Sequence, residues 1–383
     1  FIDINTENIN YAYFLDEDKL EKTTNWSNLF HEEEIDFSDL RGINLMFTDP
    51  ESSSLDTNKA FDRLVLYRNL LLYVLKESQL LKNCINVNAL TFISGDYGRS
   101  RVNSIYSIYG GYFSGLFKCL SIEHSHCNFK VIDLDPLTNV SINTENIINE
   151  IKYAGRVEVG YRNNERFIFE VSKVPFNDNK NSAFPAENSV ILVFGGARGI
   201  TAECLKHVKS TNCNFILVGR SYDTDFPSEF DKYDTFEEVK KALIIQYSGS
   251  NKITPSELNS KCRGILRQKE INANISSLSS GGCNVEYMSA DVTDLQQLKM
   301  VIETVYARYK RIDGVIHAAG LLKDKLFLDQ STDSFELVYK TKVTILEALT
   351  KFIDINKLSL IIFFSSVAGR FGNAGQSDYA AAN

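Results

Sequence analysis

Four side chains close to the C-terminal end have the types and spacing to deliver a proton to a carbonyl oxygen. Tyr379 follows Ser366 by thirteen residues, Asn383 follows Tyr379 by four, and Lys342 precedes Ser366 by twenty-four. Four residues is one helical turn, so Tyr379 and Asn383 share a helix face. Reducing a ketone needs a hydride on carbon and a proton on oxygen. A tyrosine hydroxyl has an ordinary pKa of about 10, so an ammonium such as that of Lys342 is needed to make it an effective relay near neutral pH. Ser366 can polarise the carbonyl, and Asn383 can hold a relaying water. Singly, each has a plainer reading: Ser366 caps a turn, Tyr379 fills a core, Lys342 sits in solvent. Together, in this order behind a nucleotide-binding turn, they read as a catalytic set.

That turn is Gly195, Gly196, Ala197, Arg198, Gly199 and Ile200, between an apolar strand (190–194) and a helix. Glycines there let the backbone turn tightly and approach a pyrophosphate, while the helix start offers free N–H groups and a positive dipole end. The next strand ends at Arg220 and Ser221. A carboxylate at this point would hold a ribose 2′-hydroxyl, whereas an arginine accommodates a 2′-phosphate. Arg220, helped by Arg198 and Ser221, therefore predicts NADPH. Asp291, followed by Val292, can accept from an adenine amino group or cap the helix that holds Leu295. Ala318, Ala319 and Gly320 are small enough for the backbone to pass under a nicotinamide ribose. His317, just before them, reads as a packed strand residue.

The elements that must position these residues alternate. Apolar positions at helical spacing predict a helix over 59–81, and further helices over 111–124 and 145–153. Strands are expected at 90–94 and 129–134, with a strand pair around 158–174. Residues 175–188 carry Pro175 and Pro185 among polar residues and read as a linker. After it, strands are expected at 189–194, 214–218, 284–289, 314–317 and 358–364. The intervening helices fall at 201–209, 235–247, 256–273, 295–309 and 334–352. This alternation is the mark of an α/β chain with largely parallel sheets. A faint duplication relates Phe92-Ile93-Ser94-Gly95-Asp96-Tyr97-Gly98 to Phe363-Phe364-Ser365-Ser366-Val367-Ala368-Gly369, with chance similarity of two strand-turn segments as the alternative. The weakly patterned acidic start and the linker divide the chain into a leading segment (1–58), a first subdomain with its linker (59–185) and a second subdomain (186–383).

Composition narrows the class. The 383 residues are 44% hydrophobic and 23% charged, as in soluble globular proteins. A net charge of -8 argues against nucleic-acid or anionic-membrane partners. The seven cysteines are odd in number and lack a CxxC pair, which favours reduced thiols in a cytoplasmic protein and no metal site. The longest apolar runs, such as 358–364, are strand-sized and far short of the ~20 residues a membrane helix needs.

The stretch Phe364-Ser365-Ser366-Val367-Ala368-Gly369-Arg370-Phe371-Gly372-Asn373-Ala374-Gly375-Gln376-Ser377-Asp378-Tyr379-Ala380-Ala381-Ala382-Asn383 resembles the active-site segment of ketoreductase domains from polyketide synthases. These domains belong to the short-chain dehydrogenase/reductase superfamily. Gly314-Val315-Ile316-His317-Ala318-Ala319-Gly320 is similar to their strand beneath the nicotinamide. The turn at Gly195 and the long insert after Ser221 look more like the polyunsaturated-fatty-acid synthase branch. The resemblance implies two Rossmann-like, doubly wound parallel-sheet subdomains, the first degenerate and structural, the second catalytic and truncated at its C-terminus. It implies Tyr379 as proton donor, Ser366 as the polarising hydroxyl, and Lys342 and Asn383 as supports. It further implies NADPH as cofactor, a β-ketoacyl chain on the phosphopantetheine arm of an acyl-carrier protein as substrate, and other domains of the same synthase as partners. Thr201 stands where the family's turn has its last glycine, and Phe194 where a threonine is usual. A cofactor-binding scaffold without reduction and a stand-alone dehydrogenase are the alternatives.

Overall fold

The computed structural model describes residues 26–32, 42–47, 57–77, 86–97, 107–153, 155–175, 185–208, 212–220, 227–248 and 253–383. Two five-stranded sheets organise them, in keeping with the α/β class read from the sequence. The chain divides into two units, each assembled from more than one stretch. One holds 1–174, 321–340 and 366–383; the other holds 175–320 and 341–365.

The unit that carries the glycine turn at Gly195 is built on β6 (Val190–Phe194), β7 (Asn214–Gly219), β8 (Asn284–Ser289), β9 (Gly314–His317) and β10 (Leu360–Phe363). All pair in parallel, in the order β10-β9-β6-β7-β8. A side-chain period of two lets the fully buried β6 serve both faces of the sheet. Val190, Leu192 and Phe194 pack with Leu298, Ile302 and Val305 of α8 (Leu295–Tyr309) and with Ile345 and Leu349 of α9 (Thr332–Phe352). Ile191 and Val193 pack with Leu205 of α5 (Gly199–Lys206) and with Ile271 and Leu278 of α7 (Pro255–Ser280). Each such fully buried side chain contributes roughly 1.5–3 kcal/mol. Between β7 and β8 the insert forms α6 (Phe236–Tyr247) and α7. Both open with capping boxes, Thr235 with Glu238 and Thr254 with Glu257, and Pro255 starts the second helix. The expectation that α7 stops at 273 is corrected: Ile275 and Leu278 still face the sheet, so the helix continues to Ser280.

The other unit contains α1 (Trp26–Glu32), β1 (Gly42–Phe47), α2 (Thr57–Glu77), β2 (Asn86–Thr91), α3 (Ser107–Glu123), β3 (Asn128–Leu134), α4 (Val140–Lys152), β4 (Glu158–Arg162) and β5 (Glu165–Ile168). The described strands follow chain order, β1 to β4 parallel and β5 antiparallel, so their order has no reversal. Asn163 and Asn164 take left-handed φ values of 50° and 62° in the tight β4–β5 turn. β1 falls in the leading segment, where the sequence shows only a short apolar run at 43–47. Leu45 and Phe47 point inward, and Phe47 stacks on Tyr109 of α3 at 4.7 Å. Beyond β2, the Asp133 carboxylate accepts from Thr91 Oγ1 (2.8 Å) and from the backbone N–H groups of Ile93 (3.0 Å), Ser94 (3.4 Å) and Tyr97 (2.8 Å). Burial raises its pKa against the pull of those hydrogen bonds. Two short C-terminal helices complete this unit, α10 (Val367–Phe371) and α11 (Ser377–Ala382).

Candidate active site

At the turn after β6, the sheet order reverses between β9 and β7, the place where open α/β sheets leave a crevice. Gly195 has φ 81°, and an added Cβ would lie 2.8 Å from Ala319 N. Only glycine lets this backbone run against the Ala318–Ala319 turn. Gly195 N donates to Val218 O (2.9 Å) and Ala318 N to Phe194 O (2.8 Å), which fixes both turns to the strand ends. Gly199 opens α5 with φ 61°. Ala197 is buried, and Ile200 is exposed beside the helix start. Gly196 abuts Val193 and Leu217.

Arg220 follows β7 directly and is exposed, its carbonyl accepting from Ser289 Oγ at 3.2 Å. Ser221 lies outside the described residues. The guanidinium of Arg198 is on the Glu270 carboxylate, Nε to Oε2 at 2.7 Å. Asp291 does not cap α8. Asp294, immediately before Leu295, accepts from Gln296 N and Gln297 N, while Asp291 Oδ1 accepts from Thr293 N (2.9 Å) and Thr293 Oγ1 (2.8 Å). Val292 is buried in the core beneath.

Lys342 sits on α9, 7% exposed, and its Nζ donates to Phe364 O at 2.5 Å. Burial lowers its pKa. The Lys342 carbonyl is 2.9 Å from His317 Nε2, so this ring nitrogen carries the proton and ties β9 to α9. Burial pulls the imidazole down to about 4, which keeps it neutral and structural.

In the other unit, Ser366 is the N-cap of α10, its Oγ accepting from Ala368 N at 3.1 Å. A hydroxyl that accepts at oxygen still carries a proton to donate, so the capping role orients it without consuming it. Tyr379 is on α11, and Asn383 Nδ2 donates to Tyr379 O at 2.7 Å. A Cβ on Gly369 would fall 2.9 Å from the Asn383 carbonyl carbon, so α10 and α11 touch there. The unit thus gathers Ser366, Tyr379 and Asn383 on two short helices in contact. Asp378, 1% exposed, is pushed by burial up to about 6.

Anchors for these helices were missed from sequence. Glu123 at the end of α3 accepts from Gly375 N (2.8 Å) and from Phe327 N (2.9 Å). Cys119 Sγ accepts from Asn373 N at 3.3 Å. Arg370 reaches Glu158 (2.6 Å) and Phe169 O (2.7 Å). No spacing rule links α3 to a segment some 250 residues away. Glu270 and Asn274, which grip the glycine turn at Arg198, Gly199 and Ala197, were missed for the same reason, although their spacing of four shows that they share a helix face.

Residues 189–383 match the family model described as KR domain. The chain is 31% identical over 208 residues to a polyunsaturated fatty acid synthase polypeptide of Thraustochytrium sp., covering 52% of this chain and 7% of that protein. It is 25% identical over 272 residues to polyketide synthase PksN of Bacillus subtilis, covering 70% of this chain and 4% of that one. The chain therefore spans less than a tenth of these relatives' lengths. Its fold is similar to that of a ketoreductase domain from the bacillaene assembly line, with TM-score 0.60, 21% identity, and coverage of 89% of this chain and 73% of that one. It is also similar to A-type ketoreductases from a modular polyketide synthase, with TM-score 0.62, 18% identity, and coverage of 83% and 57%. The Rossmann sheet order, the glycine turn at its reversal, and a family match over half of the chain identify it as a member of the ketoreductase (KR) domain family of polyketide and polyunsaturated-fatty-acid synthases.

Proposed function

We propose that this domain reduces a β-ketoacyl thioester, held on the phosphopantetheine arm of an acyl-carrier protein, to the β-hydroxyacyl thioester with NADPH. The observation that carries the reading is the approach of Gly195 to Ala319 at the reversal of the sheet, with Gly199 opening α5 beside it. Gly195, Gly196, Ala197, Arg198, Gly199 and Ile200 would hold the pyrophosphate. Arg220 and Ser221 would hold the 2′-phosphate, Asp291 and Val292 the adenine, and Ala318, Ala319 and Gly320 the nicotinamide ribose. When bound, the cofactor supplies the hydride. Ser366 donates a hydrogen bond to the ketone oxygen, and Tyr379 transfers its hydroxyl proton to it. Lys342 favours the tyrosinate left behind, and Asn383 holds a water that returns the proton.

Residues 59–185 play a structural part in this reading. Three backbone N–H groups after β2, the kind of nest that takes a phosphate, are filled by the chain's own Asp133 carboxylate. The carrier protein and the other domains of the synthase are the proposed partners, and the cytoplasm the proposed compartment. Among the described residues no helix is long and apolar enough to cross a membrane. The test is NADPH oxidation by the full-length protein with a β-ketoacyl thioester. Stoichiometric β-hydroxy product supports the proposal; cofactor binding without product would make the domain a scaffold.

A further inference from the structure

The start of α5 already holds an anion. Glu270, on α7, places Oε1 3.0 Å from Gly199 N and Oε2 2.7 Å from Arg198 Nε. One turn further along α7, Asn274 Nδ2 donates to Ala197 O at 3.0 Å. Ile271, between them in sequence, packs with Ala197 in the core. Three consecutive residues of the turn are therefore gripped by one face of one helix. Asn274 and Ile271 are buried and hold backbone and core, whereas Glu270 is partly exposed and holds charge.

A carboxylate on a helix-start N–H and on an arginine takes the same two contacts that a phosphate takes. Both cannot be taken at once at full strength, and a carboxylate left beside a bound phosphate repels it. Resting on the reading of this turn as the cofactor site, we propose that Glu270 is an internal counter-anion that the cofactor's phosphate displaces. Glu270 thereby sets the affinity for phosphorylated dinucleotide. Asn274 keeps the turn in shape while the exchange takes place. The half-exposed ion pair makes this a graded competition rather than a closed gate.

The experiment compares full-length wild-type protein with Glu270→Gln and Glu270→Asp. NADPH and NADH binding are followed by nicotinamide fluorescence, and thermal unfolding is measured without cofactor. Glu270→Gln retains a hydrogen-bond acceptor but not the charge. It is expected to bind NADPH roughly three- to ten-fold more tightly, the range of a partly exposed charge contact at a helix start. Its cofactor-free unfolding temperature should be unchanged or lower. Glu270→Asp retains the charge and should bind like wild type or fall between the two. A gain confined to NADPH assigns the competition to the 2′-phosphate; an equal gain for NADH assigns it to the pyrophosphate. A merely structural Glu270 would weaken binding along with stability, and weaker or unchanged NADPH binding in Glu270→Gln overturns the proposal. If wild type and both variants bind neither dinucleotide, the cofactor reading of the turn falls as well.

Discussion

Gly115 on α3 lies so close to α11 that a Cβ there would sit 2.2 Å from the carbonyl oxygen of Ala380, the residue after Tyr379. The opposing atoms are backbone, which cannot swing aside. Gly115→Ala must push α11 away or distort α3, at a cost of about 1–3 kcal/mol. Urea unfolding should show the loss of stability. NADPH affinity, which the proposed function assigns to the Gly195 turn, should hold while kcat falls.

Glu123 joins two loops by accepting one N–H on each carboxylate oxygen. Glutamine can match only one of them, and its amide N–H would face the other donor. Glu123→Gln is expected to cost about 1–3 kcal/mol, the penalty of a buried donor left unmet. Unchanged chemical denaturation would show that these contacts do not persist in solution.

Asp378 gives a pH signature. Burial raises its folded-state pKa to about 6 from an ordinary value of 3.8. The favourable effect of the protonated carboxyl is fully present below the unfolded pKa and is lost as pH rises through the folded one. Wild-type stability should therefore decline between about pH 4 and pH 6. Asp378→Asn lacks that titration, so the difference should move in the variant's favour across this window by up to about 3 kcal/mol, two pKa units' worth. Denaturation curves at pH 4, 6 and 8 would reveal it. A constant difference across that range would contradict the raised pKa.

Arg220 stands at the end of β7, where a carboxylate would select NADH. Arg220→Ala should weaken NADPH binding by about ten-fold or more, the value of one charge-assisted hydrogen bond, with little change for NADH. Isothermal titration with both cofactors measures the ratio.

Much of this site could be read from sequence because its physics is local. The run Val190 to Phe194 is apolar on both faces, which only a doubly covered strand needs, and the glycines that follow mark the turn. The Thr-x-x-Glu boxes at Thr235 and Thr254 announce two helices of the insert. What stayed hidden depends on distant partners. β1 shows only Leu45 and Phe47 as inward residues, and its identity comes from pairing with β2. Two aspartates, Asp291 and Asp294, compete for one cap, and only the backbone path decides for Asp294. Glu270 and Glu123 look like ordinary helix-surface carboxylates. Their roles appear only when the fold brings them to N–H groups tens or hundreds of residues away.

The proposed reduction turns on the Tyr379 hydroxyl, which would supply the proton to the ketone oxygen. Single-turnover NADPH oxidation with a β-ketoacyl thioester, in full-length wild type and Tyr379→Phe, tests it most directly. Tyr379→Phe is expected to lose rate by roughly 10²–10⁴-fold, the share of a general acid, with NADPH affinity retained. A Tyr379→Phe protein that turns over at the wild-type rate would contradict it.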